Sequence, residues 1–259
     1  MKSIEYFLTE MDCNGYSVFT DIVPLELIEM MGVDIKYHMD YSREIQIKNK
    51  IDVGLQGGAH HILWKGDSLT DFLDFSLLDN YIESYFDGKY IINGFGGIDN
   101  NFTDVKYKHG IEFHRDVRSF SMEYKLMLNM LVMLDDFTVE NGATKIIPGS
   151  HRLKEKPSDK YIQENYVQAI GKKGSILLFN SNVWHAAAKN TTKKSRKALT
   201  LTFTRPFFKQ QMDYPRLLGN DFPKNERMKQ ILGYNSRTPC NHDEWYQPPE
   251  GRFYKAGQG

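Results

Sequence analysis

Cysteine is scarce: Cys13 and Cys240 are the two in 259 residues. Two thiols so far apart build no disulfide framework and suit a reducing compartment. Charge of one sign is also lacking, because 33 basic side chains meet 33 acidic ones. Zero net charge argues against a coat for nucleic acid or for an anionic membrane surface. No stretch approaches the ~18 apolar residues of a membrane-crossing helix, and the start MKSIEYFLTEMD has no signal-peptide core. Repeats, low-complexity blocks and Pro/Gly/Ser linkers are missing too, so nothing marks a domain boundary. What remains has ordinary globular composition, with 41% hydrophobic, 13% aromatic and 25% charged residues. The expectation is a soluble, cytoplasmic protein forming a single domain over residues 1–259.

Periodicity divides that chain into three parts. Residues 1–88 read as mostly helical. Ile4, Phe7, Leu8 and Met11 have helical spacing, and Asn14-Gly15 should stop that helix before a strand in YSVFTDI. Pro24 opens a second apolar stripe through Leu25, Leu27, Ile28 and Met31. After a loop through IDVGLQGGAHHILWKGD, a helix capped by Asp67 or Ser68 should run to Asp87-Gly88. Residues 89–208 change texture. YIINGF, YKLMLNMLVML, ATKIIP, GSILLFNS and KALTLTFTRPF are short apolar runs, separated by turn signals such as Asn141-Gly142 and Pro148-Gly149. Strands this close together, with no helices between them, predict an antiparallel sandwich or barrel decorated by helices. Residues 209–259 form an extension with one short helix from Asn225 to Leu232 and a Pro- and Gly-rich tail.

Three residues stand out as metal ligands. His114 and Asp116 flank Arg115 in the strand-like IEFHRD, and strand residues two apart share a face at ~6.6 Å. An imidazole and a carboxylate on one face make two-thirds of the facial triad of non-haem iron(II) oxygenases, although a lone H-x-D also fits a polar strand edge. His185, just after the apolar run GSILLF, is the candidate third ligand. A hairpin centred between Thr192 and Lys193 would bring Arg196 onto the His185 face, about 13 Å away at ~3.3 Å per residue. Arginine pairs bidentately with a carboxylate and keeps its charge, as an anchor for a ketoacid requires.

In order and wording, these residues resemble the phytanoyl-CoA dioxygenase family of iron(II)- and 2-oxoglutarate-dependent oxygenases. The resemblance covers roughly residues 88–208. It rests on H-R-D at 114–116, LNMLVMLDDFTVENGATKIIPGSHR at 128–152, GSILLFNSNVWHAAAKN at 174–190, and Arg196 before LTLTF. The family likeness implies a mainly β fold with flanking helices around a double-stranded β-helix, a jelly-roll or cupin-like core. It implies His114, Asp116 and His185 as iron(II) ligands and catalytic residues, Arg196 as the anchor of 2-oxoglutarate, and O2 as second co-substrate. Two positions depart from the pattern. Ala187 stands where many members carry Ser or Thr, and Asn129-Met130-Leu131 replaces an aromatic-bearing strand. Asn129 shares a face with Leu131 and could offer its amide to the cofactor.

The implied reaction is hydroxylation of an unactivated C–H bond of a small molecule, with release of succinate and CO2. Asp116 retains the carboxylate that related halogenases give up. Two rival readings stay open: a non-catalytic metal-binding jelly roll that binds small molecules, and a zinc hydrolase using the same triad, which leaves Arg196 without work. His151 reads as a loop-ordering residue, and His60-His61 as lining the substrate entrance. The sequence names neither the substrate nor the oligomeric state.

Overall fold

The computed structural model describes residues 1–51, 57–101, 112–121 and 124–259. The first helix, α1 (Ile4–Asn14), is capped by the Ser3 hydroxyl, which accepts from the Tyr6 N–H. Gly15 ends it at φ 78°, donating to the Met11 carbonyl. Only glycine fits there, since a Cβ would come within 2.4 Å of His151 Nδ1. Strand β1 (Tyr16–Phe19) and the 24-residue α2 (Leu25–Lys48) follow, then β2 (Gly58–His60). The single helix expected from Asp67 to Gly88 is broken. It is α3 (Ser68–Asp71), a 3-10 turn over Phe72–Asp74, and α4 (Asp79–Phe86), which stops at left-handed Asp87. Arg227 crosses the break, donating to the Leu73 and Phe75 carbonyls and to Asp79. That partner lies some 150 residues away, so the sequence around the break carries no sign of it.

The second part supplies β3 (Ile91–Asn100), β4 (Met127–Met133), β5 (Lys145–Ile146), α5 (Asp159–Asn165), β6 (Val167–Gln168), β7 (Ile176–Asn180), β8 (His185–Ala186) and β9 (Arg196–Thr204). Helices α6 (Tyr214–Leu218), α7 (Glu226–Ile231) and α8 (His242–Trp245) complete the chain. All pairings between the strands are antiparallel. Six strands form one sheet in the order β1-β7-β4-β9-β3-β2, and three form a smaller one, β6-β5-β8. The result is an antiparallel jelly-roll core with flanking helices. Its two sheets do not close into the barrel that the strand spacing also allowed.

Side-chain alternation gives the large sheet two different faces. Leu128, Met130 and Val132 of β4, Ile176 and Leu178 of β7, and Leu199, Leu201 and Phe203 of β9 face the helices. There they pack with Phe7, Met31, Ile35 and Phe86. Leu131, Met133, Leu177, Phe179 and Ala198 face the small sheet. Every residue of β4 is buried, so MLNMLVM reads as one apolar run rather than an alternating one. A register shift between Ile92 and Gly94 on β3 reverses the alternation there, so Ile92 and Phe95 both join the helix side while Gly94 and Gly96 turn inward opposite Thr202 and Thr200.

The hairpin predicted between His185 and Arg196 is not formed. β8 pairs with β5 in the small sheet, whereas β9 pairs with β3 and β4 in the large one. Thr200 lies opposite Gly96 and Leu131, not His185. Asn190 breaks the strand at this point. Its amide donates to the Asn100 and Lys194 carbonyls, and its side-chain oxygen accepts from Thr192, folding the polar stretch into a turn that changes sheets.

Candidate metal centre and cavity

The H-x-D segment is a bend rather than a strand, held by three backbone contacts. His114 and His185 exchange N–H···O bonds of 3.0 Å, and the Asp116 N–H donates to the Ser181 carbonyl at 3.1 Å. Ile111 lies outside the described residues. The convergence expected from strand alternation is reached by this different route. His114 Nε2 is 3.6 Å from Asp116 Oδ1, and His185 Nε2 is 3.6 Å from Asp116 Oδ2. One donor atom from each of the three residues lies within 4.8 Å of the others.

Both imidazoles are oriented alike. His114 Nδ1 is 2.9 Å from the Glu112 carbonyl oxygen, and His185 Nδ1 is 3.0 Å from that of Val183. A carbonyl only accepts, so each Nδ1 carries the hydrogen and each Nε2 presents its lone pair to the carboxylate side. The His185 ring lies edge-on to Phe179 with centroids 4.9 Å apart. Burial lowers the His185 pKa; Asp116 opposes that shift and His114 adds to it. Two neutral imidazoles and one carboxylate, with the remaining directions open to the cavity, are a donor set that suits iron(II).

Asn129 reaches the same point from β4. Its Nδ2 donates to Asp116 Oδ2 at 2.6 Å, while its Oδ1 is buried without a partner. The amide expected at the cofactor is thus engaged with the carboxylate of the triad.

Arg196 opens β9 on the inward face. It is 2% exposed, and neither its Nε nor its Nη1 has a hydrogen-bond partner. Its guanidinium lies 4.0 Å from the centroid of the Phe137 ring. Burial pushes its pKa down to about 10, partly offset by Asp135 and Asp99. A buried guanidinium with idle donors is costly, and a carboxylate is the group that satisfies it.

The triad, Asn129, Arg196 and Ala187 all line one cavity of about 580 Å³, in the range of small-molecule sites. His60 and His61 line it as well, but neither belongs to the metal-capable group. His151 is buried against Gly15 within the 3-10 turn Ser150–Arg152 and is not a member of that group. Sequence reasoning missed Thr202 and Gln211 in the wall. Thr202 was legible only as one inward position of a strand whose register was unknown, and Gln211 carried no signal. Among the described residues no helix is long and apolar enough to cross a membrane.

Comparison with known proteins points the same way. An uncharacterised protein of Mycobacterium tuberculosis, Rv1501, is 44% identical over 149 residues, 57% of this chain and 55% of that protein. Dioxygenase FUM3 of Gibberella moniliformis is 31% identical over 136 residues, 49% of this chain and 44% of its own. The chain thus spans about half the length of the curated relatives it matches. In fold it resembles EctD from S. alaskensis, solved with 2-oxoglutarate and 5-hydroxyectoine. The TM-score is 0.64 at 19% identity, over 78% of this chain and 76% of that one. It also resembles the α-ketoglutarate-dependent epimerase SnoN from nogalamycin biosynthesis, with a TM-score of 0.59 at 14% identity over 78% and 82% of the two chains. Residues 99–198 match the family model of phytanoyl-CoA dioxygenase (PhyH).

Proposed function

We propose that this chain is a single-domain iron(II)- and 2-oxoglutarate-dependent oxygenase that hydroxylates a C–H bond of a free small molecule, releasing succinate and CO2. One observation carries the reading. Two Nε2 lone pairs and a carboxylate converge in the same cavity as a buried guanidinium with idle donors. A zinc hydrolase gives that guanidinium no partner.

His114, Asp116 and His185 hold the iron, with the Nδ1 contacts to backbone carbonyls fixing both rings in the ligating tautomer. Asn129 fixes the rotation of the Asp116 carboxylate through its bond to Oδ2. Arg196 binds the distal carboxylate of 2-oxoglutarate. Leu131 and Phe179 wall the cavity and keep water from the reacting bond. Iron(II), 2-oxoglutarate and O2, when bound, would supply the oxidising chemistry, with one oxygen atom of O2 entering the C–H bond and the other going to succinate.

Anaerobic titration of the apoprotein with iron(II) and then 2-oxoglutarate tests this. A weak visible charge-transfer band should form, vanish in His185→Ala, and require more ketoacid in Arg196→Ala. Iron binding without the band would return the chain to the binding-module or hydrolase reading. Product mass then separates hydroxylation, which adds an oxygen atom, from epimerisation, which leaves the mass unchanged.

A further inference from the structure

The cavity holds a second polar cluster that the metal centre does not use. Thr202 lies six residues beyond Arg196 on β9, about 20 Å along the strand at ~3.3 Å per residue. It stands between Asn129 of β4 and Gly94 of β3. A Cβ at Gly94 would lie 3.0 Å from Thr202 Oγ1, 3.2 Å from Gln211 Oε1 and 3.9 Å from His61 Cε1. Three polar side chains from distant parts of the chain therefore close on one point over a glycine, where any larger residue would crowd them.

Part of their hydrogen-bonding capacity is unspent. Thr202 Oγ1 is buried with no partner, and Gln211 is an exposed residue that lines the cavity. His61 sits at φ 55°, a backbone conformation that non-glycine residues seldom adopt. Its Nδ1 is 3.2 Å from the hydroxyl of fully buried Tyr214. That contact engages Nδ1 and leaves Nε2 as the ring nitrogen that a ligand would meet. Burial, reinforced by neighbouring His60, lowers the His61 pKa and keeps the ring neutral. The cluster thus offers an imidazole nitrogen, a hydroxyl and an amide, with no net charge.

We infer that His61, Thr202 and Gln211 form a substrate subsite for an uncharged oxygen-bearing group, a hydroxyl or a carbonyl, set beside the metal centre. This rests on the oxygenase reading for what lies next to it. Asn129, directly opposite Thr202 in register, holds Asp116. Among the described residues the cavity's cations are Arg196 and Lys189. Both lie at the other end, where Asn190 bonds to Asn100, the register partner of Arg196. A phosphate, a carboxylate or a coenzyme A chain placed at His61 would meet no cation and would face Asp116. A neutral hydroxylated or ketonic skeleton meets matched donors and acceptors.

The test uses protein loaded with zinc(II) and N-oxalylglycine, diamagnetic stand-ins for metal and ketoacid, and side-chain-labelled histidine. A fragment panel on phenyl, cyclohexyl and decalin bodies carries matched heads: alcohol or ketone, carboxylate, ammonium. The alcohol and ketone fragments should bind at least tenfold more tightly than their carboxylate counterparts and shift the His61 imidazole resonances. Thr202→Val and Gln211→Leu, both close in size to the native residue, should each weaken them about tenfold, with the unfolding midpoint and oxalylglycine affinity retained. The inference is overturned if carboxylates bind best, if no head class saturates, or if binding leaves His61 and both variants unaffected. Failure of oxalylglycine to bind the zinc-loaded protein would instead strike the oxygenase reading.

Discussion

The two faces of the large sheet are built from the same strands and do opposite work. On the helix side, Leu128, Met130, Leu178, Leu199 and Leu201 meet a largely apolar layer, in which the Tyr85 hydroxyl is a buried polar atom without a partner. On the inward side, Asn129, Arg196 and Thr202 each leave buried polar atoms without one. Unsatisfied buried groups cost about 1–3 kcal/mol apiece, so the inward face lowers the stability of the empty protein while the outward face supplies it. Stability and ligand capacity are separated by one residue along each strand.

The sharpest way to break this division is on the outward side. Leu178→Ala opens a cavity beneath a fully buried leucine and should cost about 2–5 kcal/mol in denaturant unfolding. The folded fraction should still bind iron(II) with native affinity; a parallel loss of metal binding would show that the two faces are coupled. On the inward side the expected pattern reverses. Arg196→Met should leave apoprotein stability unchanged or raise it by about 1–4 kcal/mol, because it removes a desolvated cation with idle donors. The same variant should weaken 2-oxoglutarate binding about a hundredfold, measured calorimetrically on the metal-loaded protein. A marked fall in its unfolding free energy would mean that the guanidinium is satisfied in the empty protein.

Asn129→Leu tests the inward face more gently. It keeps the side-chain size but frees the Asp116 carboxylate to rotate, and should lower metal affinity 10–100-fold while the apoprotein unfolds as before. The smallest effect is that of pH. Burial lowers the pKa of His185, His61 and His151 in the folded state. The unfolded chain therefore takes up protons first, and stability is full above the ordinary histidine value of about 6.5 and lost as pH falls below it. Urea midpoints should decline between pH 7 and pH 5. His151→Gln should flatten the decline without touching metal binding, whereas a change in metal binding would link that turn to the centre.

Much of this division was legible beforehand, and the legible part is local. Apolar spacing and Asn14-Gly15 mark α1 and its end because helix periodicity and the left-handed stop are properties of adjacent residues. The β runs at 91–95, 127–133 and 176–180 are visible because both of their faces are apolar enough to bury, and the run at 196–204 because apolar and polar residues alternate along it. The break between α3 and α4 was not, since Arg227 that spans it comes from the far end of the chain.

The metal centre shows the same limit within a single site. The word order from His114 to Arg196 named its residues, yet the geometry invoked to join them failed. His114 and Asp116 meet through a bridge and a bend instead of strand alternation, and His185 and Arg196 come together across two sheets instead of along a hairpin. The bond from Asn129 to Asp116 and the meeting of His61, Thr202 and Gln211 over Gly94 had no trace in the sequence at all. By itself, then, the sequence determined which segments are helix or strand and which residue types could hold a metal and a ketoacid. Tertiary structure alone decided which side chains share the cavity. Side-chain direction depends on register, and register is set by which faces bury against each other across a hundred or more residues.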